Sequence, residues 1–302
     1  MADLPFIKMH GAGNDYVFVD GFENDLNSEC SEIAVAISDR HVAVGSDGLV
    51  WMLPPESPDC DVQMRMWNTD GSEGAMCGNA LRCIALWMRL TERVADLCRV
   101  RTLSRLVTVS VLDFCSITES GWLQVDMGRP DFCQSSGAAG IRMLNGLQWP
   151  TTSRGRSRST GDGRSDGSVN YQFVSMGNPH AVVMCEELSP NLLNNLGPVI
   201  STHPEFPEGT NVEFVVCDKR NALRVDVWER GSGATLACGS GACAAAVAAV
   251  EQGLCDRDTQ ISVVMPGGVL SVIRTSDERV LLSGPAAVSF RGIWRHRSAS
   301  KP

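Results

Sequence analysis

Lysine is scarce in this 302-residue chain, which has only Lys8, Lys219 and Lys301. Pyridoxal phosphate enzymes hold their cofactor through a Schiff-base lysine, and none of these three stands beside a Gly/Ser-rich phosphate cradle. The glycine fingerprints of dinucleotide and P-loop nucleotide binding, GxGxxG after a strand and GxxxxGK[ST], are missing as well. We therefore expect chemistry that needs no cofactor.

The sequence also offers little for a metal, a membrane or a nucleic acid. It has no CxxC pair, and its histidines are not near cysteines at ligand spacing, so a zinc site is not expected despite twelve cysteines. No stretch approaches the length of a membrane span, and the formal net charge is −9, with one basic cluster around 154–164. The N-terminal segment resembles neither a signal nor a transit peptide. We expect a cytoplasmic protein, or a stromal one if a plastid transit peptide was removed.

What the sequence does contain is a long-range repeat. GAGNDYVFVD (11–20) resembles SMGNPHAVVM (175–184), and AMCGNALRCIAL (75–86) resembles LACGSGACAAAV (236–247). Both pairs occur in the same order and at nearly the same separation along the chain. A repeat of that length predicts two duplicated domains rather than a solenoid.

Many β-branched runs separated by turns predict a strand-rich chain, with helices at about 31–40, 80–92 and 241–252 and only short turns near 188–195. The helix at 241–252 is apolar on every side, as expected of a helix enclosed by sheet. The predicted fold class is α/β (mixed α+β), with two similar pseudo-symmetric domains. Each domain wraps a sheet around a central apolar helix, and the active site lies in the cleft between them. We place the N-terminal half at 1–128, joined by a C-terminal strand near 285–302, and the C-terminal half at 129–284. A mobile Ser/Arg/Gly-rich loop is expected at about 151–168.

Cys77 and Cys238 stand at equivalent places in the two halves, each directly before a predicted helix. The helix dipole and the unpaired N–H groups there favour a thiolate, and they can also hold a substrate carboxylate. If the halves face each other, two such thiols suit the inversion of a carbon stereocentre. One would take a proton from one face while the other delivers a proton to the opposite face.

Polar residues of the same motifs could serve this chemistry. Arg230 could bind a carboxylate bidentately, and Glu229 or His180 could help to move protons. Taken alone, Glu229 and Arg230 also fit an exposed charge pair at a strand end, and His180 fits a satisfied core histidine. Asn68 also fits a turn cap.

These motifs resemble the diaminopimelate epimerase family nearly from end to end. The likeness includes KMHGAGNDYVFVD (8–20), RMWNTDGSEGAMCGNALRC (65–83), SMGNPHAVV (175–183), HPEFPEGTNVEFV (203–215) and VWERGSGATLACGSGACAA (227–245). The resemblance implies a cofactor-independent isomerase with two catalytic thiols, which interconverts LL- and meso-2,6-diaminopimelate in lysine biosynthesis. It also implies two similar α/β domains that close on the substrate, and usually a homodimer.

The resemblance assigns roles to individual residues. At matching positions it makes Cys77 and Cys238 the two bases, with Glu229 and His180 assisting them. It implies no cofactor and no metal. The residues that it implies for substrate binding are Asn14, Asn68, Gly78, Asn79, Asn178, Asn211, Arg230, Gly239 and Ser240.

The chain departs from the usual family pattern at a few positions. Ala80 stands where a glycine is usual, which would cause strain at a positive φ and none in a helix. Ser240 replaces a usual threonine and keeps the hydroxyl, and GAT at 233–235 resembles the plant and cyanobacterial branch. Two alternatives stay open: a related two-base racemase of another amino acid, and a non-catalytic or thiol-redox protein on the same fold.

Overall fold

The computed structural model describes residues 3–24, 30–132, 140–145, 147 and 167–295. By internal contacts the chain divides into unit 1, Met1–Asp126 with Ser283–Pro302, and unit 2, Met127–Leu282. Helices and many strands alternate in both units, which confirms the predicted mixed α+β class. The domain boundaries at 128 and 284 stay a prediction, because a contact unit need not fold alone. Of the predicted loop at 151–168, only Gly167 and Ser168 fall within the described residues.

Unit 1 alternates antiparallel and parallel strand pairs. Strand β2 pairs antiparallel with β1 and parallel with β3. Strand β4 pairs antiparallel with β3 and β5 and parallel with β6. Strand β7 pairs antiparallel with β6 and β8. Its elements are β1 (Asp3–Gly11), β2 (Asn14–Asp20), α1 (Cys30–Ser38), β3 (Gly48–Leu53), β4 (Val62–Asn68), β5 (Glu73–Gly74), α2 (Gly78–Leu90), β6 (Leu97–Arg101), β7 (Leu106–Cys115) and β8 (Ser120–Gly128).

Unit 2 repeats this succession. Its elements are β9 (Ile141–Leu144), β10 (Val169–Ser175), β11 (Pro179–Met184), α3 (Pro190–Ser201), β12 (Asn211–Lys219), β13 (Ala222–Glu229), β14 (Gly233–Thr235), α4 (Gly239–Glu251), β15 (Ile261–Met265), β16 (Gly268–Arg274) and β17 (Val280–Arg295). The pairs β10–β11, β12–β13, β13–β14 and β15–β16 are antiparallel, whereas β11–β12 and β13–β15 are parallel. From β10 onward, the order and direction match those of unit 1 from β1 onward. Strand β17 continues into unit 1, where it pairs antiparallel with β1.

Two helices pack on strands in each unit: α1 on β3 and β4, and α3 on β12, β13 and β14, besides α2 and α4. Helix α2 packs on β1, β6 and β7, and α4 packs on β10, β11, β12, β13, β15 and β16. Residues 241–250 of α4 are all buried. Small alanine side chains let strands approach this helix on several sides, which explains why the run has no polar face.

The structure differs from the sequence prediction near 188–195, where α3 forms a full helix instead of short turns. Ser189 caps it, since its Oγ accepts the Leu192 N–H at 3.1 Å, and Pro190 suits the first helical position. Leu196 and Ile200 then anchor the helix in the core of unit 2. Within the described ranges, no helix combines the length and apolar character needed to cross a membrane.

Candidate active site

Cys77 and Cys238 each occupy the N-cap of a helix, α2 and α4 respectively. Their backbones are extended, with φ −138° and ψ 121° at Cys77 and φ −126° and ψ 114° at Cys238. An N-cap of this kind precedes the first-turn amides, which have no acceptor within the helix. Each unit therefore places one thiol beside N–H groups that favour an anion.

A chain of side-chain hydrogen bonds surrounds Cys77. The Cys77 thiol donates to Asn14 Oδ1 at 3.5 Å, and Asn79 Nδ2 donates to the same oxygen at 3.1 Å. Arg82 Nη2 donates to Asn79 Oδ1 at 2.6 Å, and Asn14 Nδ2 donates to Asp47 Oδ2 at 2.7 Å. A guanidinium can only donate and a carboxylate can only accept, so the two ends fix both amide orientations. Asn14 Oδ1 therefore faces the thiol as an acceptor.

Local structure places these groups. Asn14 opens β2 after a two-residue turn with positive φ at Ala12 (53°) and Gly13 (81°), the conformation of a tight type I′ hairpin. Arg82 is fully buried in α2 and also donates to the carbonyls of Gly78 at 3.4 Å and Pro285 at 3.2 Å. The hydrogen-bond network therefore rests on helix α2 and on the two-residue turn before β2.

Tyr16 completes the Cys77 cluster, which we define as Asn14, Tyr16, Asp47, Cys77, Asn79 and Arg82. Burial raises the pKa of the Tyr16 hydroxyl well above its usual value, and its charge interaction and hydrogen bond with Cys77 raise the pKa further. The phenol therefore keeps its proton near neutral pH. It acts as a donor toward the sulfur.

Cys238 lies deeper than Cys77, with 7% of its surface exposed. The Gly241 N–H donates to its Sγ at 3.4 Å, and Ser240 Oγ lies 3.4 Å from the same sulfur. Burial raises the pKa of the Cys238 thiol well above its usual value, and the Glu229 and Glu213 carboxylates raise it further. Hydrogen bonds from Ser240 and Gly241 oppose that rise. The balance favours a protonated thiol.

Glu229 ends β13 beside this thiol. Thr235 Oγ1 donates to Glu229 Oε1 at 2.5 Å. Burial raises the pKa of Glu229, with the Glu213 charge adding to it, while hydrogen bonds with Thr235 and Cys238 lower it. A carboxyl group with a raised pKa that contacts a thiol is suited to proton transfer.

His180 is fully buried and bonded at both ring nitrogens. Its Nδ1 lies 2.7 Å from Glu213 Oε1, and its Nε2 lies 3.0 Å from Asn178 Oδ1. Asn178 Nδ2 in turn donates to Ser240 Oγ at 3.3 Å. We define the Cys238 cluster as Asn178, His180, Glu213, Glu229, Thr235, Cys238 and Ser240.

Glu213 was missed by the sequence analysis. Its signal is a single acidic residue in the strand segment NVEFVV, whose six residues are all buried. An ionisable side chain in such a run needs a partner, but its sequence position does not identify His180 as that partner.

The remaining predicted binding residues lie outside these clusters. Asn211 is buried, accepts the Arg230 N–H at 2.9 Å and donates to the Pro179 carbonyl at 3.1 Å, so its amide fixes backbone. The exposed Arg230 donates from Nη1 to the Glu208 carbonyl at 2.8 Å. Asn68 is exposed at the end of β4 and donates to Ser72 Oγ at 3.0 Å.

Comparison with known proteins decides the family. The family model described as "Diaminopimelate epimerase" matches residues 6–133 and 172–288. The chain belongs to the diaminopimelate epimerase family. The diaminopimelate epimerase of Bacillus velezensis is 40% identical over 298 residues, and that of Bacillus subtilis is 40% identical over 301 residues. Each alignment covers 97% of this chain and 99% of the relative.

Solved structures with low sequence identity share the fold. A predicted epimerase from Pseudomonas aeruginosa superposes with a TM-score of 0.69 at 15% identity, covering 97% of this chain and 100% of that one. A probable proline racemase from Agrobacterium radiobacter, with bound carbonate, gives 0.64 at 14% identity, covering 97% and 93%. The fold is therefore also found in proteins that do not bear the name diaminopimelate epimerase.

The departure from the family pattern at Ala80 is structurally simple. Ala80 lies within α2 and is fully buried, so its backbone is helical and alanine is a favourable residue there. The strain expected for a positive φ does not arise.

Among the described residues, no group of three or more His, Cys, Asp or Glu side chains could hold a metal ion. No disulfide joins the cysteines of those same ranges.

Proposed function

We propose that this chain is a diaminopimelate epimerase, an isomerase that interconverts LL- and meso-2,6-diaminopimelate without a cofactor, in lysine biosynthesis. One observation carries the proposal: in a chain of this family, two cysteines occupy the N-caps of the corresponding helices of two similar units. Curated relatives that bear this name cover nearly the whole chain.

The proposed reaction moves one proton at each face of the α-carbon. A thiolate takes the α-proton as the C–H bond breaks, and the electron pair remains on the substrate as an enolate-like anion. The other thiol then protonates the α-carbon on the opposite face and becomes a thiolate. Cys77 and Cys238 are the two bases, and their roles exchange in the reverse direction.

Neighbouring groups adjust the protonation of these thiols. The Cys238 thiol is protonated at rest, so it must lose a proton before it can act as a base. Glu229 contacts it directly, whereas His180 bonds to Asn178, which donates to Ser240 beside the sulfur. We assign the transfer of protons to and from Cys238 to Glu229. We assign His180 an assisting role, in which it orients Asn178 and Ser240 beside the thiol.

The substrate carboxylate at the reacting centre is assigned to helix N-termini. The amides around Gly78–Asn79 and Gly239–Ser240 lie in the first turns of α2 and α4, where an anion is stabilised. Other polar groups hold the remaining ends of the substrate. These are Asn14, Asn68, Asn178, Arg230 and, through its bonds to backbone, Asn211.

Family membership also supports two proposals about the whole protein, its location in the cell and its oligomeric state. We expect the protein to be cytoplasmic and to form a homodimer. Light scattering coupled to gel filtration measures the oligomeric state, and a monomer mass at micromolar concentration would contradict the dimer.

Incubation with LL-diaminopimelate in D2O, without added cofactor, tests the activity. We expect the meso isomer to form and deuterium to enter at Cα. The absence of both products would refute the proposed function. A racemase of another amino acid would exchange proline or glutamate instead, and a thiol-redox protein would exchange no α-proton.

Single thiol variants test the two bases. We expect Cys77→Ala and Cys238→Ala each to lose epimerisation, because each face of the α-carbon needs its own proton carrier. Cys115→Ala is the matched control, since that cysteine is exposed on β7 and should leave the rate unchanged. Substantial epimerisation by either active-site variant would contradict the two-thiol reaction.

A further inference from the structure

A second carboxyl group faces His180, and none of the roles above uses it. Glu213 Oε1 lies 2.7 Å from His180 Nδ1, and both side chains are fully buried. The other oxygen, Oε2, is also buried and has no hydrogen-bond partner among the described residues. The fold therefore carries a carboxyl group whose one bonding partner here is an imidazole.

The corresponding position in unit 1 shows that the fold does not need this group. In the parallel pair β11–β12, Glu213 pairs with Val182, two residues beyond His180. In the parallel pair β2–β3, Val50 pairs with Phe18, two residues beyond Tyr16. Val50 is as fully buried as Glu213. A valine thus fills the same place in the same topology, where it leaves no buried polar atom.

The helix beside Glu213 is adapted to the carboxyl group. A Cβ at Gly241 would lie 2.7 Å from Glu213 Oε1, so any side chain there would force the carboxyl group to shift. The corresponding residue of unit 1, the third after the N-cap cysteine, is Ala80. The two units therefore carry matched pairs, Val50 with Ala80 and Glu213 with Gly241. The Glu213–Gly241 pair places an acid beside His180, at positions where unit 1 shows that an apolar pair is also compatible with the fold.

We infer that Glu213 is a positioning residue for His180. Nδ1 faces Glu213 Oε1 and Nε2 faces Asn178 Oδ1, so both nitrogens donate when the ring is an imidazolium, and the Glu213 carboxylate orients the ring and stabilises that charge. The titratable groups that face this pair are Glu229 from β13 and Cys238 at the start of α4. The contact between Glu213 and His180 is given by the geometry. Its effect on catalysis rests on the proposed function.

Glu213→Gln tests the role with little change in shape. The amide oxygen can still accept the Nδ1 proton but holds no charge. We expect kcat for diaminopimelate to fall about 10- to 100-fold with KM nearly unchanged, as for carboxylates that orient other functional histidines. Glu187→Gln is the control, since it changes an exposed acid of the same unit and should leave kcat and KM as they are.

Imidazole ¹⁵N NMR supplies a measurement that is independent of activity. His180→Asn identifies the His180 signals, and Glu213→Gln should shift the Nδ1 signal of His180 at fixed pH, because an amide replaces the carboxyl group 2.7 Å from that nitrogen. Unchanged His180 signals together with kcat within twofold of wild type would overturn the inference. If the wild type proves inactive on diaminopimelate while the Nδ1 signal still shifts, only the proposed function fails.

A second variant covers the case in which Glu213→Gln does not fold. The double substitution Glu213→Val with Gly241→Ala installs the natural pair of unit 1. We expect a folded protein with strongly reduced kcat. Retention of wild-type kcat in the double variant would also overturn the inference.

Discussion

Gly241→Ala introduces one methyl group at the crowded start of α4. The new Cβ would lie 2.7 Å from Glu213 Oε1, 3.3 Å from Cys238 Cβ and 3.4 Å from Cys238 Sγ. Residues 241–250 are buried against strands, so the helix has little freedom to move away. The Glu213 carboxyl group must shift instead, and its contact with His180 is lost or weakened.

Two opposing effects set the size of the change in stability. Overpacking of a closed core costs about 1–3 kcal/mol. Alanine is favoured over glycine in a helix by about 1 kcal/mol. We therefore expect the free energy of unfolding to fall by about 0–2 kcal/mol, and kcat to fall at least about tenfold because His180 loses its orienting acid. Ala80→Gly is the mirror control and should cost only about 0.5–1 kcal/mol while largely preserving kcat.

Urea unfolding followed by circular dichroism and the deuterium assay measure these effects. A double-mutant cycle with Glu213→Val isolates the contact, because valine removes the carboxyl oxygen that the new methyl meets. The double variant should be less destabilised than the sum of the single variants, with a coupling of about 1 kcal/mol or more. Unchanged urea midpoint and kcat in Gly241→Ala, or zero coupling, would refute the steric argument.

Two further predictions concern the thiols and the buried arginine. Burial and nearby carboxylates raise the pKa of Cys238, so iodoacetamide should label this thiol slowly at pH 7 and faster toward pH 10. Hydrogen bonds from Thr118 lower the pKa of the exposed Cys115, so Cys115 should react before Cys238. Peptide mass spectrometry measures both, and rapid labelling of Cys238 at pH 7 would contradict the argument. Arg82→Met should lower unfolding stability by about 1–3 kcal/mol, since buried Asn79 Oδ1 loses its donor. Arg82→Lys should lose less in the same urea assay, and equal losses would argue against a hydrogen-bond role.

The sequence predicts the fold best where its signals are local. The Gly-Asn turns, the Cys-Gly helix starts and the all-apolar run of α4 each depend on a few neighbouring residues, and the mixed α+β class that they indicate is confirmed. The strand signals were weaker in β1 and β3. Strand β1 carries Pro5 and Lys8, and the continuous apolar run of β3 does not alternate. Helix α3 was underestimated because Gly197 and Pro198 are poor helix formers, while its tertiary anchors Leu196 and Ile200 outweigh them.

The candidate site was harder to predict because its contacts are long-range. Glu213 and His180 are 33 positions apart and meet only through the parallel register of β11 and β12. The same is true of Asn14 and Asp47, which are joined by the register of β2 and β3. The functional roles of the named residues, the homodimer and the location in the cell stay predictions.

The differences between the two clusters bear on how the proton moves. Both units give a thiol the same helix N-terminus, but Tyr16 and Val50 in unit 1 correspond to His180 and Glu213 in unit 2. Tyr16 has a raised pKa and keeps its proton near neutral pH, so its hydroxyl can donate a hydrogen bond to a Cys77 thiolate without taking the proton from the thiol. In contrast, His180 and Glu229 can both accept and release protons. The duplicated backbone therefore gives a thiol an equivalent position in each unit, whereas three positions differ between the units (Val50/Glu213, Tyr16/His180 and Ala80/Gly241) and surround the two thiols with different side chains.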